Sequence, residues 1–209
     1  MVDFDALCEA LSLTLSRPLP GDTAHERMAP SHRVRYNPTR TGAREGAVMI
    51  LLFPEDGGVS TLFTLRRKDL ADHAGQISFP GGRREDGETF QEAALRECEE
   101  EVGIAQDRVR VLGALTDLFI PPTRYIVHPF IGALSELPAI IPQAREVEAV
   151  LKVPLHILQD PATRQSEEWT FRGENSTVPC YRIDGHIIWG ATAMITSELL
   201  ELLGDVRSS

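Results

Sequence analysis

The chain has 209 residues, 42% of them hydrophobic and 25% charged, enough to bury one sizeable core and build a single domain with elaborated ends. Its formal charge of −10 argues against unspecific binding to nucleic acid or to an anionic membrane, since both need a basic face. No apolar run is long enough to span a bilayer, so a membrane protein of the helical kind is excluded.

In chain order, Phe4, Leu7, Cys8, Leu11 and Leu15 recur at helical spacing and predict an amphipathic helix ending near Pro18. Leu19 to Gly46 follow as a polar connection rich in Pro, Arg and Thr, expected to form a surface arm. Residues 1–45 are therefore read as helix and extended arm, 46–203 as one domain and 204–209 as a tail. Strands are expected at Ala47 to Phe53 and Thr61 to Arg66, around a turn at Pro54-Glu55-Asp56-Gly57-Gly58.

A helix is predicted from Phe90 to Val102. Thr89 followed by Glu92 reads as a capping box, and Gly103 stands where a left-handed C-terminal cap belongs. Beyond it, Val109 to Leu118 and Tyr125 to Leu134 read as strands joined by Ile120-Pro121-Pro122-Thr123-Arg124, a loop ordered by its prolines and expected to line a cleft. Glu146 to Leu158 reads as a loop with a short helix, Trp169 to Phe171 and Tyr181 to Ile183 as short strands, and Ala191 to Leu203 as the closing helix. Tyr181 and Trp189 are expected to be core residues rather than base-stacking platforms.

The chemistry concentrates on the Phe90 to Val102 helix. Phe90, Ala94, Leu95, Cys98 and Val102 form its apolar face, while Glu97, Glu100 and Glu101 share a neighbouring arc of roughly 100° and Glu99 points elsewhere. Like charges at these spacings each cost a few tenths of a kcal/mol, and acids in a last turn oppose the helix dipole by about 0.3–1 kcal/mol each. A divalent cation offsets that repulsion, and hard carboxylate oxygens suit Mg²⁺ or Mn²⁺.

The spacing Gly82-x5-Glu88-x7-Arg96-Glu97-x-x-Glu100-Glu101-x-Gly103-Ile104 is similar to the signature box of the Nudix hydrolases at all its fixed positions. That resemblance implies an α+β fold, an α/β/α sandwich in which a mixed β-sheet lies between the box helix and a C-terminal helix. It also implies hydrolysis of a pyrophosphate bond in a nucleoside diphosphate derivative. Carried over residue by residue, Glu97 and Glu101 are the leading metal ligands, Glu100 a third, the Gly81 carbonyl a completing ligand, and Arg96 the residue that orients the acids. Glu88 resembles a structural acid.

Upstream, Leu62-Phe63-Thr64-Leu65-Arg66, then Gly75, then Phe79-Pro80-Gly81-Gly82, resembles the motif of Nudix coenzyme A pyrophosphatases. Arg67 stands where that motif has Ser or Ala, and Ala71 stands where it has arginine. The subgroup implies coenzyme A or acyl-CoA as substrate, giving 3',5'-ADP and (acyl-)4'-phosphopantetheine. Alternatives kept open are ADP-ribose, a dinucleotide or a nucleoside triphosphate, and a non-catalytic nucleotide-binding module. A homodimer is a family-level expectation.

Arg66 and Arg67 are candidate phosphate-binding cations, Arg66 the better because it matches the motif; Lys68 adjoins them and His73 is left uncommitted. Glu146 is the candidate general base, with Glu148 its competitor. The other histidines show no metal-ligand spacing, and there is no Walker-type loop and no Gly-x-Ser-x-Gly elbow. Cys8, Cys98 and Cys180 include no Cys-x-x-Cys pair, the start Met1-Val2-Asp3-Phe4-Asp5 does not resemble a secretory signal, and the end Val206-Arg207-Ser208-Ser209 carries no Ser-Lys-Leu address. A cytoplasmic location is expected.

Overall fold

A computed structural model describes residues 3–31, 40–70, 74–171 and 173–208. Ala71 and His73, singled out in the sequence, lie outside the described residues. The frame is a mixed sheet built on the long strand β1 (Arg44–Glu55), which pairs antiparallel with β2 (Gly58–Arg66) and parallel with β7 (Tyr125–Ala133). Short strands β3 (Ile77–Ser78) and β4 (Gly81–Arg83) pair with β2 and β1; β5 (Arg110–Ala114) and β6 (Leu118–Ile120) pair with β7. The eighth strand of this sheet, β8 (Val147–Pro154), runs antiparallel along β2.

Side-chain alternation along β1 sorts the core into two layers. Ala47, Met49, Leu51 and Phe53 pack with Ala93, Ala94, Cys98 and Val102 of α3 (Phe90–Val102) on one face. Ile50 and Leu52 meet the other layer, made by Leu7, Cys8 and Leu11 of α1 (Phe4–Leu15) and by Met194, Ile195, Leu199 and Leu202 of α5 (Gly190–Ser208). Each fully buried Leu, Ile or Phe contributes about 1.5–3 kcal/mol, so both faces are strongly held. The expected sandwich of helix, mixed sheet and helix is the observed one.

Three expectations need correction. Glu146 to Leu158 contains the expected short helix, α4 (Leu155–Gln159), but the stretch before it is, apart from its first residue, the strand β8 and not a loop. Val147, Val150 and Val153 suit a strand, but the partner that stabilises it, β2, lies far away in sequence. Trp169 to Phe171 and Tyr181 to Ile183 are the ends of longer strands, β9 (Arg164–Phe171) and β10 (Glu174–Ile183), which join β11 (His186–Trp189) in a second sheet. Their outward polar residues mask the strand pattern.

The described part of the Leu19 to Gly46 connection is also more than a surface arm. It contains α2 (Asp22–Glu26), with Ala24, His25 and Met28 buried. Ser197 donates to the Ala24 carbonyl at 2.8 Å, and Glu198, fully buried in α5, accepts from Gly21 N–H, Thr116 N–H and Thr116 Oγ1 and pairs with His25 Nε2 at 3.0 Å. These polar residues bury one another through the Glu198 carboxylate, which hydropathy alone cannot reveal. Among the described residues no helix is long and apolar enough to cross a membrane.

Candidate active site

The acid cluster begins with the way α3 is started and stopped. Thr89 Oγ1 accepts the Glu92 N–H at 3.2 Å while the Glu92 carboxylate accepts the Thr89 N–H at 2.7 Å, so the capping box is complete. At the other end Gly103, at φ 74°, donates its N–H to the Glu99 carbonyl. Between these fixed ends the last turn lies against β4.

Gly82 allows that approach, and Gly81 allows β4 to lie close along β1. A Cβ on Gly81 would stand 2.3 Å from the Ala47 carbonyl oxygen, and one on Gly82 would stand 2.4 Å from Glu97 Cδ. Any side chain at position 82 would therefore occupy the space of the Glu97 carboxylate. Glu97 is 17% exposed and Glu101 only 4%, whereas Glu100 is 51% exposed and Glu99 turns away to accept from Gln106.

Arg96 locks the cluster from outside. Its Nε donates to Glu88 Oε1 at 2.6 Å, its Nη1 to Glu97 Oε1 at 3.0 Å and Glu100 Oε2 at 3.3 Å, and its Nη2 to the Arg83 carbonyl at 3.0 Å. The orienting role expected for Arg96 has a geometric basis here. Glu88 also accepts the Glu85 N–H at 2.9 Å, which holds its carboxyl below the usual range together with Arg96, the larger influence.

From β2, Arg66 reaches the cluster: its Nη1 lies 3.5 Å from Glu101 Oε1 and 3.6 Å from Glu146 Oε2. Glu146 thus faces the site just before β8, fixed by the Arg67 N–H donating to its carbonyl at 2.9 Å. Glu148 instead lies within the field of Arg67. Arg67 itself points away from the acids, gripping Asp69 with two hydrogen bonds of 2.8 Å. Thr64 Oγ1 stands 3.5 Å from Glu101 Oε2 and near Ser78, contacts that the motif did not single out.

Burial, only partly offset by Arg66, pushes the Glu101 carboxyl up to about 7, with Glu97 and Glu146 adding to the rise. Burial also raises Glu97, against the pull of Arg96. Two sheltered carboxyls with more negative charge than their guanidinium partners balance fit a divalent cation. Among the described residues no three His, Cys, Asp or Glu side chains converge tightly enough to hold an ion alone. The donor set suits Mg²⁺ or Mn²⁺ held by one or two carboxylates and completed by phosphate oxygens and water, the usual magnesium arrangement.

Residues 43–172 match the NUDIX domain family model, and the match includes every acid of this cluster. The chain belongs to the Nudix family. It is 32% identical to the human mitochondrial coenzyme A diphosphatase NUDT8 over 208 residues, covering 95% of this chain and 80% of that protein. It is 34% identical to the chloroplastic Nudix hydrolase 22 of Arabidopsis thaliana over 81% of this chain, and 35% identical to the mitochondrial Nudix hydrolase 15 of the same plant over 76%. The chain spans 56% and 58% of the lengths of those two plant relatives.

The Nudix fold extends to remote sequences. The crystal structure of the M. smegmatis Nudix hydrolase RenU superposes with a TM-score of 0.53 at 18% identity, covering 79% of this chain and 86% of that one. The Enterococcus faecalis MutT/nudix family protein gives 0.53 at 14% identity, with 87% and 73% covered.

The remaining candidates are structural. Tyr181 is buried in the main core, as expected. Trp189 packs edge-on against Trp169 at 4.8 Å. His128 stacks on Phe90 at 3.6 Å and lies 2.8 Å from Asp117. The three cysteines are free and buried.

Proposed function

We propose that this protein hydrolyses the pyrophosphate bond of coenzyme A or an acyl-CoA, adding water to give 3',5'-ADP and (acyl-)4'-phosphopantetheine. The observation that carries the reading is the pairing of two sheltered carboxyls, Glu97 and Glu101, against the glycine turn of β4. The motif upstream of them and the likeness to the human coenzyme A diphosphatase support the substrate class.

In this reading Glu97 and Glu101 would hold Mg²⁺ or Mn²⁺, with the Gly81 carbonyl and Glu100 as further ligands. The metal, when bound, neutralises charge developing on the phosphoryl oxygens and lowers the pKa of attacking water. Arg96 keeps Glu97 aimed inward. Arg66 presents its guanidinium to a phosphate oxygen, while Glu146, whose carboxylate is freed as Arg66 turns to substrate, accepts a proton from the attacking water. We place the activity in a reducing, cytoplasm-like compartment.

A second reading, turnover of ADP-ribose, a dinucleotide or a nucleoside triphosphate, draws on one observation. Arg67, one of the two cations that could compensate for the motif arginine replaced at Ala71, is committed to Asp69. Incubation with Mg²⁺ or Mn²⁺ and a panel of coenzyme A, ADP-ribose, NADH and nucleoside triphosphates, with products identified by mass, separates the readings. Preference for coenzyme A supports the first; no turnover on any member leaves a nucleotide-binding module.

A further inference from the structure

Tyr125 lies beside the acid cluster and has no place in the roles assigned above. It opens β7, immediately after the two-proline loop, where Arg124 takes a left-handed conformation at φ 51° and donates its N–H to the Pro121 carbonyl. The Arg44 N–H then donates to the Arg124 carbonyl at 2.9 Å, and Tyr125 enters register opposite Arg44. The backbone of Tyr125 is therefore fixed on both sides.

The ring projects across a third glycine. A Cβ on Gly46 would stand 2.2 Å from the Tyr125 hydroxyl oxygen and equally close to the Gly82 carbonyl oxygen, so the phenol rests above the same peptide that seats Glu97. Glu97, Arg44 and Arg83 are its charged neighbours, and the Arg44 guanidinium lies 5.7 Å from the ring centroid. Tyr125 is half-buried, and no described residue forms a hydrogen bond with its hydroxyl. A sheltered O–H without a partner among the described residues, flanked by two guanidiniums and a carboxylate, is arranged to donate to an arriving acceptor-only anion.

We propose that Tyr125 is a substrate-binding residue whose hydroxyl donates to a non-bridging phosphoryl oxygen of a pyrophosphate seated against Glu97. The inference rests on the proposed pyrophosphatase function and adds a recognition element that the box motif lacks. An ordinary phenol, with a pKa near 10, stays protonated at neutral pH, and burial raises this one further. The residue therefore works as a donor, with Arg44 and Arg83 supplying positive charge on the same side.

The test is Tyr125→Phe, which keeps the ring and its contact with Arg44. Methylene bisphosphonate, an unhydrolysable P–C–P analogue, is titrated calorimetrically in Mg²⁺; Mn²⁺ binding without it is followed by electron paramagnetic resonance, and melting by calorimetry. The variant is expected to bind the bisphosphonate about 10-fold more weakly, as loss of one charge-assisted hydrogen bond implies, and to raise KM for coenzyme A more than it lowers kcat. Mn²⁺ affinity and melting temperature stay within 2-fold and 2 °C, on the order expected for loss of a hydroxyl with no partner among the described residues.

Bisphosphonate affinity equal to wild type overturns the inference, and so does a parallel loss of Mn²⁺ affinity and melting temperature, which marks a structural hydroxyl. If the wild-type protein neither binds Mn²⁺ nor turns over any member of the panel, the functional reading falls and this inference with it. If the wild-type protein does both and Tyr125→Phe matches it throughout, only the inference falls.

Discussion

Arg66 Nη1 stands 3.5 Å from Glu101 Oε1, and this is the ion pair the acid cluster makes with β2. One guanidinium, which also lies 3.6 Å from Glu146, does not compensate a carboxylate that is 4% exposed and within the field of Glu97. The acids there carry more negative charge than their guanidiniums balance, and burial favours the protonated form of Glu101.

That imbalance has a pH signature in metal-free protein. Burial raises the folded Glu101 pKa from 4.5 to about 7, so the native state holds an extra proton between those values and stability declines as pH climbs through that window. Glu101→Gln is expected to stabilise the chelated protein at pH 8 by on the order of 1–3 kcal/mol, with little change at pH 4.5, while abolishing turnover. Melting in EDTA at the two pH values checks it; equal shifts at both would remove the buried charge from the account.

Gly82→Ala is expected to lower kcat about 10²-fold or more, because the new methyl would take the place of the Glu97 carboxyl group and displace it by about 1 Å. Steady-state rates and a Mn²⁺ titration measure this together. Wild-type rates with unchanged Mn²⁺ affinity would show that the close contact has no bearing on the site.

Dialysis against EDTA should abolish pyrophosphate hydrolysis, and Mg²⁺ or Mn²⁺ should restore it. Glu97→Gln should fail to recover at any tested metal concentration. Full metal-dependent turnover by that variant would defeat the assignment of Glu97 as a ligand.

The box helix was legible to the residue because its signals are local: a capping box, one apolar stripe and a terminal glycine lie within Thr89 to Gly103. The strands around it were legible in kind but not in extent. Strand β8 escaped because its identity depends on pairing with β2, and His25 and Glu198 escaped because two polar residues distant in sequence bury each other. At the site, Glu97, Glu101 and Arg96 carried a spacing that names them. Tyr125 carried none, and the parallel pairing of β1 and β7 brings it to the acids; Thr64 stood in the upstream motif, but its contact with Glu101 comes from the register of β2.

Glu198→Ala is expected to cost about 3–5 kcal/mol, since it removes an acceptor used by Gly21, Thr116 and His25 in a fully buried position. Burial pushes the Glu198 carboxyl up, but hydrogen bonds from His25 and Thr116 outweigh it and hold the group below the usual carboxylate range. Its contribution is therefore present above that range and lost as pH falls through the depressed value. Urea unfolding at neutral pH measures the cost, and a loss below about 1 kcal/mol would mean that the surroundings relax to satisfy the orphaned donors.

The family match runs from residue 43 to 172, yet α1 and α5 both lie outside it and together cover the face of the sheet that bears Ile50, Leu52 and Phe63. A fragment trimmed to the matched stretch would present that greasy surface bare to solvent and clump rather than disperse. The flanking helices α1 and α5 are thus the unmatched half of one core, and the smallest piece that can stay monodisperse carries the two.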